Sequence, residues 1–423
     1  MRTAQRPRAR RGAWTAALLA VAAVAATAAA SAAASAPLST PSRPTSAAYA
    51  LAPWLAGLRL PVAVVVVPDR PDRWLAVQLE GLVVDVRGGA LQPRPFLDLR
   101  HRVTGLEGEQ GLFSAALEPR DRAHARGRAR YLVTAFSERD TGDLVVAAYP
   151  VDETAWVADE TAEIEVLRVP MPTPFHHGGF VRFGPDGHLY VTIGDGSAAI
   201  DPAVERSGGA ASLQGWRGKI VRVDLLPTAG PAPAYAVPAD NPFASAGTAT
   251  GGSALPEIWA YGFRNPWKLT FDPASGEAIV VDVGADRWEE VHRVAPGGDH
   301  GWPAREGRAC VLLGDGRLLD PGCDAREDVA PWITYGHLEL DPDGGLAVVG
   351  GVVVRDPALP ELIGRYVFSD FVSGRVWAYD PVADRRELLL DAGPGVSAVD
   401  EGPAGEVLIV TLDGTVRRLV RDR

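Results

Sequence analysis

The chain has 423 residues, 47% of them hydrophobic and 22% charged, with 42 basic against 53 acidic side chains and a formal charge of −11. This is a globular composition, and it excludes a largely disordered chain. The acidic balance also excludes a non-specific nucleic-acid binder, which needs clustered positive charge.

Arg2, Arg6, Arg8, Arg10 and Arg11 crowd the start, and no Asp or Glu precedes Asp69. An Ala/Val/Leu-rich run from about Trp14 to Ala30 leads into small-residue stretches at 28–30 and 32–34. This is the layout of a secretory signal peptide over residues 1–34. The run is weakly apolar, which favours cleavage over an uncleaved anchor; membrane contact is expected only if the segment stays. A secreted, periplasmic or cell-surface protein is therefore expected. Residues 35–57, rich in Ser, Pro and Ala, read as a linker or loose N-terminus, and the folded domain is expected over 58–423.

From there one pattern recurs: a β-rich run, a Gly- or Asp-containing turn, a second β-rich run. It appears six times, at 74–86, 131–149, 189–224, 278–294, 366–380 and 407–420. Each unit reads as the inner and middle strands of a four-stranded antiparallel blade. The 46 Gly and 35 Pro supply turn chemistry, and no amphipathic helix alternates with the strands, which disfavours a βαβ sheet. A two-sheet sandwich is the alternative. The repeating pairs favour closure into an all-β, six-bladed β-propeller. Its tunnel mouth gathers loops from every blade and is the expected ligand face.

Two stretches carry candidate chemistry. In PTPFHHGGFVRFGPDGHLYVTIGDGS (172–197), His176 and His177 precede Gly178-Gly179, and a strand pair ends at Asp195. A His before such a turn suits a base near neutral pH, and an Asp beside it suits an orienting partner. In 257–303, Arg264-Asn265-Pro266 sits among aromatic residues, and DVGADRWEE gathers Asp282, Asp286, Glu289 and Glu290. Arg suits a planar anion or a carbonyl; the acidic loop suits a hard cation such as Ca²⁺, without the spacing of an EF-hand. Read blandly, the same residues are hairpin turns and solvated loops. Cys310 and Cys323 flank a loop rich in Gly, Asp and Leu, and export favours a disulfide between them. No nucleophile elbow, HExxH or P-loop is present.

These stretches, with GEQGLFSAALEP (108–119), GWRGKIVRVD, YAVPADNPF, AYGFRNPW, GGDHGWPAREG and YVFSDFVSGRVW in the same order, resemble the glucose/sorbosone dehydrogenase family, the soluble PQQ-dependent aldose dehydrogenases and their propeller relatives. The resemblance implies six blades. It implies His176, not His177, as the base, Asp195 as its acidic partner, and Arg264 and Asn265 as contacts of the quinone. Glu109 falls where some members place a Gln in the sugar pocket. A calcium holding the quinone would use main-chain oxygens near Gly284 and Ala285; a second, structural calcium would use Glu290 and the His300 carbonyl. The implied reaction removes a proton from the anomeric hydroxyl of an aldose with His176 as hydride passes to PQQ, and an external acceptor takes the electrons. One departure stands out. The best-known members grip the quinone carboxylates with a Lys and, in the last blade, two Arg; here Val372 stands near the Lys position and 394–402 has no Arg. Arg375, Arg355 and Lys268 are substitutes out of register. Loss of the clamps favours the rival reading, a non-catalytic secreted propeller that binds a protein or a glycan. A hydrolase or lactonase would need a central carboxylate metal cluster that the sequence does not assemble.

Overall fold

Twenty-four strands among the described residues form six antiparallel four-strand paths set around one axis. The structure is a computed structural model and describes residues 48–103, 107–197, 209–226, 234–245, 254–313 and 316–422. The expected signal segment lies outside them. Blade 1 comprises β2 (Pro61–Val66), β3 (Arg73–Gln78), β4 (Leu82–Arg87) and β5 (Ala90–Asp98). Blade 2 comprises β6 (Leu112–Leu117), β7 (Tyr131–Ser137), β8 (Leu144–Asp152) and β9 (Ile164–Val169). Blade 3 comprises β10 (Gly178–Phe183), β11 (Leu189–Ile193), β12 (Lys219–Leu225) and β13 (Ile258–Tyr261). Blade 4 comprises β14 (Pro266–Phe271), β15 (Ala278–Asp282), β16 (Trp288–Arg293) and β17 (Ile333–Gly336). Blade 5 comprises β18 (Val348–Val353), β19 (Tyr366–Asp370), β20 (Arg375–Asp380) and β21 (Arg385–Asp391). Blade 6 comprises β22 (Val396–Glu401), β23 (Val407–Thr411) and β24 (Thr415–Arg421), completed by β1 (Tyr49–Leu55) from the other end of the chain.

The first strand of each blade faces the axis, and β2, β6, β10, β14, β18 and β22 neighbour one another in a closed ring. Six apolar clusters fill the gaps between neighbouring blades. Val62, Leu75 and Phe96 meet Phe136 and Tyr149 between blades 1 and 2, and Ala398, Leu408 and Val410 meet Trp74 and Val86 between blades 6 and 1. Burying each blade on both sides is the main stabilisation, at about 25 cal/mol per Å² of apolar surface, and radial closure leaves only short edges.

Two sequence expectations differ from the structure. The six recurring units are the second and third strands of each blade, not the inner and middle ones. The innermost strands lie outside the recurring units, although second strands such as LYVTI are as fully buried as LFSAAL. Residues 35–57 were expected as a linker, yet β1 lies inside that range and pairs antiparallel with β24, Tyr49 opposite Arg421 and Ala50 opposite Val420. Its partner comes from the far end of the chain, so no local turn announces it.

The axis itself is plugged. Lys268 on β14 and Asp400 on β22 form a fully buried ion pair, and Asp400 also accepts the Val64 N–H of β2 at 2.8 Å. Blades 4, 6 and 1 are thus tied together across the axis.

Candidate active site

Inner strands begin, and second strands end, at the same mouth. At that mouth a side chain at the end of the second strand holds the lead-in to the inner one. In blade 4, Asp282 accepts the backbone N–H groups of Arg264 at 2.9 Å and Asn265 at 2.6 Å. In blade 5, Asp370 accepts those of Leu346 and Ala347 at 2.8 and 2.7 Å. Charge-assisted bonds of this kind are about twice as strong as neutral ones.

Blade 3 delivers His176 and Asp195. His176 takes a left-handed φ of 52°, rare for a side chain with a Cβ, and its N–H donates to Glu109 Oε2 at 2.9 Å. Its Nδ1 donates to Asp195 Oδ1 at 2.9 Å, leaving Nε2 without a partner among the described residues. The two segments meet over Gly194, where a Cβ would lie 2.0 Å from the His176 carbonyl oxygen. Asp195, 2% exposed, also accepts from Trp302 Nε1 and from Ser197 N–H, each at 2.9 Å. Burial pushes its carboxyl up, but the His176 bond, the His176 and Arg264 charges and the Ser197 bond outweigh it, and the group stays below the usual range. His177 differs. It is 0% exposed, its Nε2 donates to the Thr173 carbonyl and its Nδ1 accepts from Ser137 Oγ, both at 2.9 Å. Burial holds it neutral by lowering its pKa, so both its nitrogens are committed to holding the loop.

Blade 4 adds Arg264 and Asn265. Asn265 Oδ1 accepts from Gly178 N–H at 3.1 Å, and its Nδ2 donates to Glu109 Oε2 at 3.2 Å. Glu109 therefore lies at the centre of the constellation, joining the His176 backbone to Asn265. Arg264 Nη1 donates to the carbonyls of Val283 at 3.0 Å and Gly284 at 2.5 Å, and its guanidinium lies 5.6 Å from the Trp302 ring. The 284–288 loop is turned by Glu306, whose Oε1 accepts the N–H groups of Ala285, Asp286, Arg287 and Trp288 at 2.7–3.0 Å. The Gly284 carbonyl thus already accepts from a guanidinium, which a calcium at Gly284 and Ala285 would have to displace or share.

The expected second calcium site is different in kind. Glu290 lies directly opposite Asp282 across β15 and β16. It accepts from Gly307 N–H at 2.5 Å and from His292 Nε2 at 2.7 Å. His300 was named for its carbonyl, but its ring Nδ1 lies 3.1 Å from His292 Nδ1, and the ring stacks on Phe263 at 4.5 Å. Burial pushes both the Asp282 and Glu290 carboxyls well up and lowers His292 to about 3. Trp302, Glu306 and His292 were not singled out from the sequence; Trp302 and Glu306 lie in GGDHGWPAREG, where nothing local marks their bonds.

The expected clamp position and its substitutes offer no free cation among the described residues. Val372 supplies only its N–H, to Asp370 at 3.0 Å. Of the substitutes, Lys268 is bound to Asp400, Arg375 donates to the Gly344 carbonyl at 2.7 Å, and Arg355 pairs with Asp272. Next to the inner and second strands of blades 5, 6 and 1 stand Leu346, Phe371, Pro394 and Leu412, but also the charged Asp413 and the Arg59–Glu80 ion pair. Among the described residues, those around His176 thus fit the reacting end of a quinone, and those at the expected clamp positions do not fit its carboxylates. An open groove of about 660 Å³, lined by Met171, Pro172, Trp216 and Leu255, runs beside the loop leading to His176. The expected disulfide, Cys310–Cys323, closes an excursion of blade 4.

Residues 58–421 match the family model described as Glucose / Sorbosone dehydrogenase. The HIPL1 protein of Arabidopsis thaliana is 32% identical over 250 residues, covering 55% of this chain and 35% of that protein. The Hedgehog-interacting protein of Mus musculus is 29% identical over 335 residues, covering 75% and 42%. The chain therefore spans less than half the length of these two relatives. The PQQ-bound aldose sugar dehydrogenase of Streptomyces coelicolor superposes with a TM-score of 0.62 at 20% identity, covering 89% of this chain and 99% of that one, which bears on the fold alone.

Proposed function

This chain belongs to the glucose/sorbosone dehydrogenase family, and from that premise we propose that its mouth oxidises an aldose sugar at C1. The observation that supports the reading is the convergence of the His176–Asp195 pair with Arg264 and Asn265 around Glu109. In this reading His176 Nε2 takes the proton of the anomeric hydroxyl, and Asp195 on Nδ1 fixes the tautomer and steadies the imidazolium that forms. Glu109 and Asn265 hold the His176 turn in its left-handed conformation, so the base does not swing away. Arg264 has N–H donors beyond Nη1 to offer an oxygen on which negative charge develops. PQQ, when bound, would supply the hydride-accepting carbonyl, and Ca²⁺ on the Gly284 and Ala285 carbonyls would polarise it. An external acceptor would take the electrons onward. We also propose export, from the layout of residues 1–34 and from the disulfide, which suits an oxidising compartment.

The test is dye reduction across a panel of aldoses with added PQQ and Ca²⁺. Activity that vanishes in His176→Ala is the expected result; turnover unaffected by that change would remove His176 as the base. A second reading, a non-catalytic propeller that binds a partner, is favoured by one observation: Val372 stands near the expected clamp lysine, and Lys268, Arg375 and Arg355 are each already bound elsewhere. The name of the mouse relative points the same way.

A further inference from the structure

Asp282, Glu290 and His292 stand on one face of a strand pair. Asp282 and Glu290 are direct partners across β15 and β16, and His292 lies two residues beyond Glu290 on the same side. One ligand atom from each lies within 4.8 Å of the other two. Three ligands on one ion at zinc distances sit no more than about 4.4 Å apart, so a small inward movement closes the set. The three residues are 3%, 7% and 0% exposed. Among the described residues neither carboxylate has a lysine or arginine ion-pair partner. Like charges directly opposite on paired strands repel, and buried charge needs compensation.

We propose that Asp282, Glu290 and His292 bind one borderline divalent ion of the zinc class, in place of the calcium that the family resemblance puts beside Glu290. The donor set decides the class. Calcium takes six to eight oxygen ligands, whereas an imidazole nitrogen with two carboxylates suits zinc and its neighbours. His300 supplies the outer support. Ligating histidines almost always donate their second N–H to an acceptor, and His300 Nδ1 waits 3.1 Å from His292 Nδ1. With His292 Nε2 on the ion, its Nδ1–H donates to His300 Nδ1. The remaining His300 nitrogen, Nε2, then carries the ring proton and is buried without a hydrogen-bond partner among the described residues. The ion would brace Asp282, which holds the backbone of Arg264 and Asn265. The site therefore lies behind the mouth, and its occupancy is independent of whether the mouth oxidises sugars.

The experiment uses the full chain without a histidine tag, stripped with chelator and titrated with Zn²⁺, Co²⁺ and Ca²⁺. Expected are one Zn²⁺ per chain by elemental analysis, a melting temperature raised by Zn²⁺ at that ratio, and visible Co²⁺ absorption bands that excess Ca²⁺ does not displace. His292→Asn should abolish the Co²⁺ bands, and His300→Gln should weaken Zn²⁺ binding about 10–100-fold. If His292→Asn does not fold, the Co²⁺ spectrum of the unaltered chain decides. Displacement of Co²⁺ by equimolar Ca²⁺, or no metal bound and no thermal shift, would overturn the proposal.

Discussion

Blades 4 and 5 solve the same mechanical problem with opposite results. Each ends its second strand in an aspartate, Asp282 or Asp370, that clamps two backbone N–H groups leading into the inner strand. In blade 4 the residues so held are Arg264 and Asn265; in blade 5 they are Leu346 and Ala347. The scaffold repeats while the cargo changes, which is how function is grafted onto a fold. Blades 2–4 thus gather Glu109, His176, Asp195 and Asn265 into one network, whereas blade 5 presents Leu346 and Ala347 at the corresponding place.

The largest effect should fall on the reactive half. His176→Ala is expected to lower dye reduction by about 10²–10⁴, the usual value of a general base. His177→Asn should lower the melting temperature while leaving turnover per folded molecule nearly intact, because both nitrogens of His177 serve the loop. Equal kinetic loss in both variants would erase the distinction between them. Next comes the scaffold on the quiet side. Asp370 accepts from Leu346, Ala347, Val372 and Ser373 N–H and from Tyr335 Oη. Asp370→Ala should destabilise the fold by about 2–4 kcal/mol in denaturant titration, since several charge-assisted bonds are lost together. A loss under about 0.5 kcal/mol would mean that the clamp is not structural.

A smaller gain should come from restoring charge. Val372→Lys should tighten PQQ binding about 10–100-fold, one charge-assisted bond being worth roughly 1.5–3 kcal/mol, with the gain shrinking as salt rises. No change in affinity would place the quinone carboxylates elsewhere. The smallest effect concerns pH. The Asp195 carboxyl is held below its unfolded value, so the unfolded state binds the proton first as pH falls. Its stabilisation is full above the ordinary carboxylate pKa of about 3.9 and is lost as pH drops through the depressed value. Asp195→Asn should therefore show a shallower loss of stability below pH 4 than the unaltered chain; parallel curves would contradict that sign.

The propeller was legible because its central hairpins are β-rich runs joined by turn residues, as in YVFSDFVSGRVWAYD. The inner strands lay outside the recurring units, and β1 was hidden because pairing between distant parts of the chain leaves no local pattern. At the site, His176, Asp195, Arg264 and Asn265 stood out as chemistry-bearing residues beside glycines. What joins them did not: the Trp302 bond to Asp195, the four amides on Glu306 and the His292–His300 contact depend on segments brought together by blade packing. Lys268 shows the opposite error. Charge alone made it a substitute clamp, and only the opposing Asp400 shows that it is already spent on the tunnel.

The most direct test of the divided mouth is calorimetric titration of the calcium-loaded chain with PQQ, followed by dialysis and dye reduction. A reacting half without clamps predicts reversible binding, cofactor lost on dialysis, and sugar-dependent turnover that returns when PQQ is added back. Sub-nanomolar binding would contradict the missing clamps, and no heat or spectral change at near-millimolar PQQ would contradict the reacting half.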